Sequence, residues 1–127
     1  MVKVVCGVLI ENGRVLMARR SAIMEHPLQW EFPGGKIAEG EIEEDALKRE
    51  LFEELGVNIH VNLALQPVLW KYPDKQVELY PMICERISGT PRPLEHQELR
   101  WCSRKELKSL NILDADIAIL NQIERLL

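Results

Sequence analysis

The sequence predicts an α/β fold, a central mixed β-sheet flanked by helices. Three observations carry that prediction: short runs rich in Val and Ile, two stretches with apolar residues at helical spacing, and hairpin signals between them. With 127 residues, 46% apolar and 28% charged, the chain suits one domain over residues 1–127 with its own buried core.

Residues 2–10 read as a strand, and Glu11-Asn12-Gly13-Arg14 carries the Asn-Gly hairpin signal. Val15 to Ala18 is the returning strand, ending at Arg19-Arg20. Residues 21–36 read as an irregular loop closing in Trp30-Glu31-Phe32-Pro33-Gly34-Gly35-Lys36. Pro followed by Gly-Gly argues against a regular element there and permits close approach of backbone to a ligand. Residues 43–55 read as a helix. Leu47, Leu51 and Leu55 form its apolar stripe, Ala46 and Phe52 widen it, and Gly56 stops it. Glu43, Glu44 and Asp45 suit the positive end of its dipole, although no Ser or Thr cap precedes them. Residues 59–70 and 76–87 read as two strands joined by Tyr72-Pro73-Asp74-Lys75. Pro91-Arg92-Pro93 marks a loop, and Leu99 to Cys102 a short strand. Ile117, Leu120, Ile123 and Leu127 predict a closing helix over residues 116–126.

A net charge of −4, with no Lys/Arg-dense stretch, argues against polymer nucleic acid as a partner. A small anion remains compatible if a metal ion supplies positive charge. Cys6, Cys84 and Cys102 are odd in number and lie among apolar or aromatic neighbours. They read as reduced, buried residues of a cytoplasmic protein. No apolar run is long enough for a transmembrane helix, and Val4–Ile10 lacks a signal-peptide cleavage site.

The informative stretch is Gly35 to Val57. Glu50, Glu53 and Glu54 stand at i, i+3 and i+4, which puts three carboxylates on one helical face, apart from the leucine stripe. Two readings are open, a solvated acidic face and a site for a hard divalent cation such as Mg²⁺. Arg49 beside the cluster and the preceding Gly-Gly turn favour the second.

The same stretch resembles the Nudix box of the Nudix hydrolases, over residues 35–57. Gly35, Glu41 and Arg49-Glu50-Leu51-Phe52-Glu53-Glu54-Leu55-Gly56-Val57 satisfy every specified position. At roughly 6% usage per fixed position, chance agreement in such a chain is on the order of one in ten million. The run from Trp30 to Lys36, the Arg19-Arg20 pair and Tyr72-Pro73-Asp74 are similar to MutT-type members. Glu95-His96-Gln97, Trp101-Cys102 and Ala115-Asp116 resemble the CTP pyrophosphohydrolase branch.

The resemblance implies a Nudix fold, an α/β/α sandwich. It implies an Mg²⁺-dependent (or Mn²⁺-dependent) hydrolase that splits a nucleoside triphosphate into monophosphate and pyrophosphate. By the same resemblance Glu50, Glu53 and Glu54 are metal ligands, and the carbonyl of Gly34 or Gly35 adds another. Glu50 is a candidate base, with Glu95 the alternative as base or ligand. Arg49 orients the glutamates, Glu41 pairs with it, and Gly56 is structural. Arg20 and Lys36 are candidates for the phosphates, and Phe32 and Tyr72 for stacking on the base. Where 8-oxo-dGTP-specific members carry an Asn near the start of the last helix, this chain has Asp116, with Asp114 two residues earlier. Either reads the base or merely caps the helix.

The expected substrate is 8-oxo-dGTP, in a role that cleanses the nucleotide pool. CTP or a modified dCTP is the alternative. A further reading is another diphosphate, which the short chain disfavours, and a non-enzymatic one is a nucleotide-binding module. A monomer or weak dimer is expected.

Overall fold

The structure, a computed structural model, describes residues 1–127. Strand β1 (Val2–Glu11) runs through the middle of an eight-stranded mixed sheet. On one side it pairs in parallel with β7 (Lys75–Ser88), Val2 to Leu9 against Val77 to Cys84. On the other it pairs antiparallel with β4 (Gly34–Lys36). At Ile10 and Glu11 it passes to β2 (Arg14–Arg19) through a turn with Asn12 at φ 52° and Gly13 at φ 72°. Those paired positive values are what a type I′ hairpin requires. The short β3 (Trp30–Glu31) and β8 (Glu98–Cys102) flank β2. Along β7 lie first β6 (Val68–Tyr72) and then β5 (Asn58–Ala64).

Side chains alternate across β1, so its two faces feed two cores. Val5 and Leu9 join Leu47, Leu51 and Leu55 of helix α1 (Glu43–Leu55) in one cluster. Each of those fully buried leucines contributes about 1.5–3 kcal/mol by leaving water. Cys6 and Val8 join the other, with Ala115, Ile119 and Ile123 of helix α3 (Asp114–Ile123). The result is helix, sheet, helix. Gly7 sets the approach of α1, because a Cβ there would stand 2.8 Å from Leu51 Cδ1. Gly56, at φ 73°, ends α1 and returns its N–H to the Phe52 carbonyl. No helix is long and apolar enough to cross a membrane. All three cysteines are buried and free.

Five details depart from the sequence reading. Residues 21–36 contain β3 and β4, because Gly34 and Gly35 pair with β1 where a larger residue would not fit. The strand expected over 59–70 breaks at Leu65–Pro67 into β5 and β6, as proline removes a ladder donor. Phe52 is 56% exposed and lies off the buried stripe of α1. The last helix begins at Asp114 and buries Ala115, Asp116, Ile119 and Ile123, leaving Ile117 exposed; a 3₁₀ turn follows at Glu124–Leu126. The one-turn helix α2 (Arg104–Leu107) was not anticipated. Ser103 and Glu106 build its capping box.

Candidate active site

A cleft of about 410 Å³ opens between β1, β4, β7 and the start of α3. Its lining includes Arg20, Phe32, Gly34, Gly35, Lys36, Glu54, Tyr72, Glu95 and Asp116, all singled out from the sequence. Three of these lie before the box, three in it and three beyond it, and the sheet brings them together. Glu50, Glu53 and Arg49 sit next to the cleft on α1 without lining it. Asp114 is exposed and outside the lining, so of the two aspartates only Asp116 faces the cleft.

The glycine bend and α1 form one corner. Gly34 N–H donates to Glu54 Oε1 at 3.3 Å. Gly35 lies so close to Glu50 that a Cβ would overlap its carboxylate, and a Cβ on Gly34 would run into the Val5 carbonyl oxygen. Only glycine lets the bend approach both β1 and the acidic face.

Arg49 ties the acidic face together. Its Nε and Nη2 reach the Glu41 carboxylate at 2.8 and 2.9 Å, and Nη1 reaches Glu50 at 2.9 Å and Glu53 at 3.3 Å. Nη2 also donates to the Lys36 carbonyl at 3.1 Å. Arg49 and the Ala38 N–H hold the Glu41 carboxyl down to about 2. Glu41 thus serves Arg49, and Arg49 serves the glutamates.

Glu54 has no such partner. It is 5% exposed, and the Gly34 N–H is the only donor to its carboxylate. Burial, then the charges of Glu31, Glu50 and Glu95, push its carboxyl up to about 9. Burial also raises Glu50, against the pull of Arg49. No three acidic, His or Cys side chains converge as a finished ligand set, because Arg49 draws Glu50 and Glu53 towards itself. The donor chemistry nonetheless fits a hard divalent cation. A buried carboxylate crowded by others lacks positive charge, and a glycine backbone lies beside it.

The opposite wall is different. Asp116 is 2% exposed and accepts the Phe32 N–H at 2.8 Å, so it does not cap α3. Burial, then Glu31, raises its carboxyl well above the usual range. Phe32 itself is 2% exposed, a packed wall more than a stacking platform. Tyr72 lies against the His26 ring, centroids 4.9 Å apart, and its hydroxyl is buried without a partner. Over this wall passes the segment after β2. His26 and Leu28 hold φ 50° and 63°, uncommon for residues with a side chain. Lys75 Nζ meets Glu25 at 2.9 Å, and Arg20 Nε donates to the Glu25 carbonyl at 2.6 Å.

Five polar residues of the cleft were not singled out from the sequence: Glu25, His26, Glu31, Lys75 and His96. Glu31 pairs with Arg20 at 2.9 Å, His96 meets the other oxygen of Glu31 at 2.9 Å, and Lys75 lines the rim. A charged residue wedged between Trp30 and Phe32 was the available signal for Glu31.

The NUDIX domain model matches residues 1–123. The chain belongs to the Nudix hydrolase family. Among relatives of this Nudix hydrolase, the CTP pyrophosphohydrolase of Escherichia coli K12 is 33% identical over 94% of this chain and 89% of its own. The 8-oxo-dGTP diphosphatase of the same strain is 32% identical over 91% and 90%. Among solved structures, a MutT protein from methicillin-resistant Staphylococcus aureus 252 superposes with TM-score 0.78 at 35% identity, covering 98% of this chain and 95% of that one. A MutT Nudix hydrolase from Burkholderia pseudomallei gives 0.84 at 26%, covering 96% and 97%.

Proposed function

We propose that this Nudix hydrolase is a divalent-metal-dependent nucleoside triphosphate pyrophosphohydrolase, with 8-oxo-dGTP its preferred substrate and the cytoplasmic nucleotide pool its place of action. The observation that carries the reading is Glu54, a buried carboxylate beside a glycine bend, crowded by Glu31, Glu50 and Glu95. Glu50, Glu53, Glu54 and Glu95, with a carbonyl of Gly34 or Gly35, would hold Mg²⁺ or Mn²⁺. When bound, that ion lowers the pKa of water and neutralises charge on the departing pyrophosphate.

The remaining chemistry falls to the chain. Arg20 and Lys36 bind phosphate oxygens from the cleft wall and rim. Arg49 keeps Glu50 and Glu53 in place, and Glu50 or Glu95 takes the proton of the attacking water. Tyr72 offers a ring beside the base, and Asp116 hydrogen-bonds its edge. Asp116 is also the observation that bears on the second reading, CTP or a modified dCTP, because its second oxygen, when ionised, accepts from cytosine N4–H₂, whereas the neutral acid that burial favours donates to an acceptor on the base.

The test incubates the protein and Mg²⁺ with 8-oxo-dGTP, dGTP, CTP, 5-hydroxy-dCTP and ADP-ribose, and measures pyrophosphate and monophosphate. Highest kcat/KM for 8-oxo-dGTP supports the first reading, and for a cytidine nucleotide the second. Nucleotide binding without pyrophosphate release would overturn both.

A further inference from the structure

Arg20, Glu31 and His96 lie at the ends of three neighbouring strands. Glu31 closes β3, Arg20 follows β2, and His96 precedes β8, whose approach is tied down by Gln97 N–H donating to the Arg19 carbonyl at 2.9 Å. Glu31 uses its two oxygens on different partners: Oε1 accepts from Arg20 Nη1 at 2.9 Å, and Oε2 contacts His96 Nε2 at 2.9 Å. A carboxylate held at both oxygens cannot rotate, and it only accepts, so Nε2 must carry hydrogen. Arg20 is held a second time through Nε, by the Glu25 carbonyl. Because the guanidinium is planar, fixing Nε and Nη1 fixes Nη2, which makes no hydrogen bond within the protein.

His96 is not a convenient filler. Its side chain is 2% exposed, and its Nδ1 is buried with no partner. An apolar side chain would occupy the site without that unmet polar atom. What the imidazole supplies is the Nε2–H contact.

We propose that His96 is a positioning residue for phosphate binding: its Nε2–H locks Glu31, and Glu31 locks Arg20 with its Nη2 left to donate into the cleft. The inference rests on the reading of Arg20 as a phosphate ligand, and deepens it by naming what preorganises that cation.

Two measurements test it. In the Mg²⁺-supplemented enzyme with its best nucleotide, His96→Leu should raise KM by at least about tenfold while kcat changes by less than about threefold, as when uniform binding is lost. His96→Gln, which keeps a donor towards Glu31, should recover most of that loss. In an Arg20→Ala background, His96→Leu should add less than about twofold. An unchanged KM in His96→Leu, or a full additional loss in the Arg20→Ala background, overturns the proposal. Imidazole ¹⁵N shifts of the resting wild-type protein provide a readout that needs neither turnover nor a folded variant. They should report the Nε2–H form, and an Nδ1–H tautomer would overturn the proposal. A protein that hydrolyses no nucleotide refutes the function above but leaves the tautomer measurement in force.

Discussion

Phe32 and Asp116, 84 residues apart in sequence, meet through a 2.8 Å hydrogen bond from the Phe32 N–H to Asp116 Oδ2. The bond joins the glycine bend to the last helix and leaves Asp116 one oxygen for a ligand. In Asp116→Asn the single amide oxygen stays with Phe32, so an NH₂ donor replaces that oxygen. The amide repels cytosine N4–H₂ and still serves O6 of an oxidised guanine. We expect the ratio of kcat/KM for 8-oxo-dGTP over CTP to rise by about tenfold or more. An unchanged ratio would remove Asp116 from base recognition.

The carboxyl of Glu54 sets a pH dependence. Its folded value, about 9, lies above the ordinary 4.5. Between those values the folded state holds a proton that the unfolded chain has lost, so stability falls as pH rises through that window. With divalent ions chelated, the Tm should decline from pH 5 to pH 9, and Glu54→Gln should flatten the decline and raise the Tm at pH 8. Adding Mg²⁺ at pH 8 should stabilise wild type more than the variant. Equal slopes in the two proteins would contradict the burial argument.

Glu53 is half exposed and contributes little to the core. Glu53→Gln should leave the Tm near wild type yet lower turnover by at least about a hundredfold, the scale of lost charge stabilisation in a transition state. Arg49→Lys should reduce turnover as well, since one ammonium cannot span Glu41, Glu50, Glu53 and the Lys36 carbonyl. Near-normal turnover in either variant would exclude that residue's proposed role.

The two glycines should separate stability from activity. Gly34→Ala meets backbone, the Val5 carbonyl, and should cost about 1–3 kcal/mol or more in urea unfolding. Gly35→Ala meets the Glu50 carboxylate, which can swing aside, so its main effect should be on turnover. The reverse ranking would show that the bend is not placed as described.

Legibility in the sequence followed the range of the interactions. Helix α1 was readable to the residue, because Leu47, Leu51 and Leu55 encode its face and Gly56 its end. Glu50, Glu53 and Glu54 were visible for the same local reason, as was the Asn12–Gly13 turn. Strands β3 and β4 were hidden because their pairing with β2 and β1 is remote and glycines carry no strand signal. The split at Pro67 and the Ser103–Glu106 box were local signals that the reading passed over. Nothing local links His96 to Glu31, 65 positions away. Phe52 misled because widening the leucine stripe by apolar character alone ignores which arc of the helix the sheet covers.

The bend at Gly34–Gly35 is laddered to β1 and wedged against α1, whereas the segment carrying Glu25, His26 and Leu28 is fastened by local backbone hydrogen bonds and a few side-chain contacts and contains residues in costly backbone conformations. One end of the cleft therefore tolerates almost no substitution, and the other can be rewritten cheaply. Such an architecture lets descendants of one ancestor exchange the molecules they accept while inheriting the cutting apparatus intact.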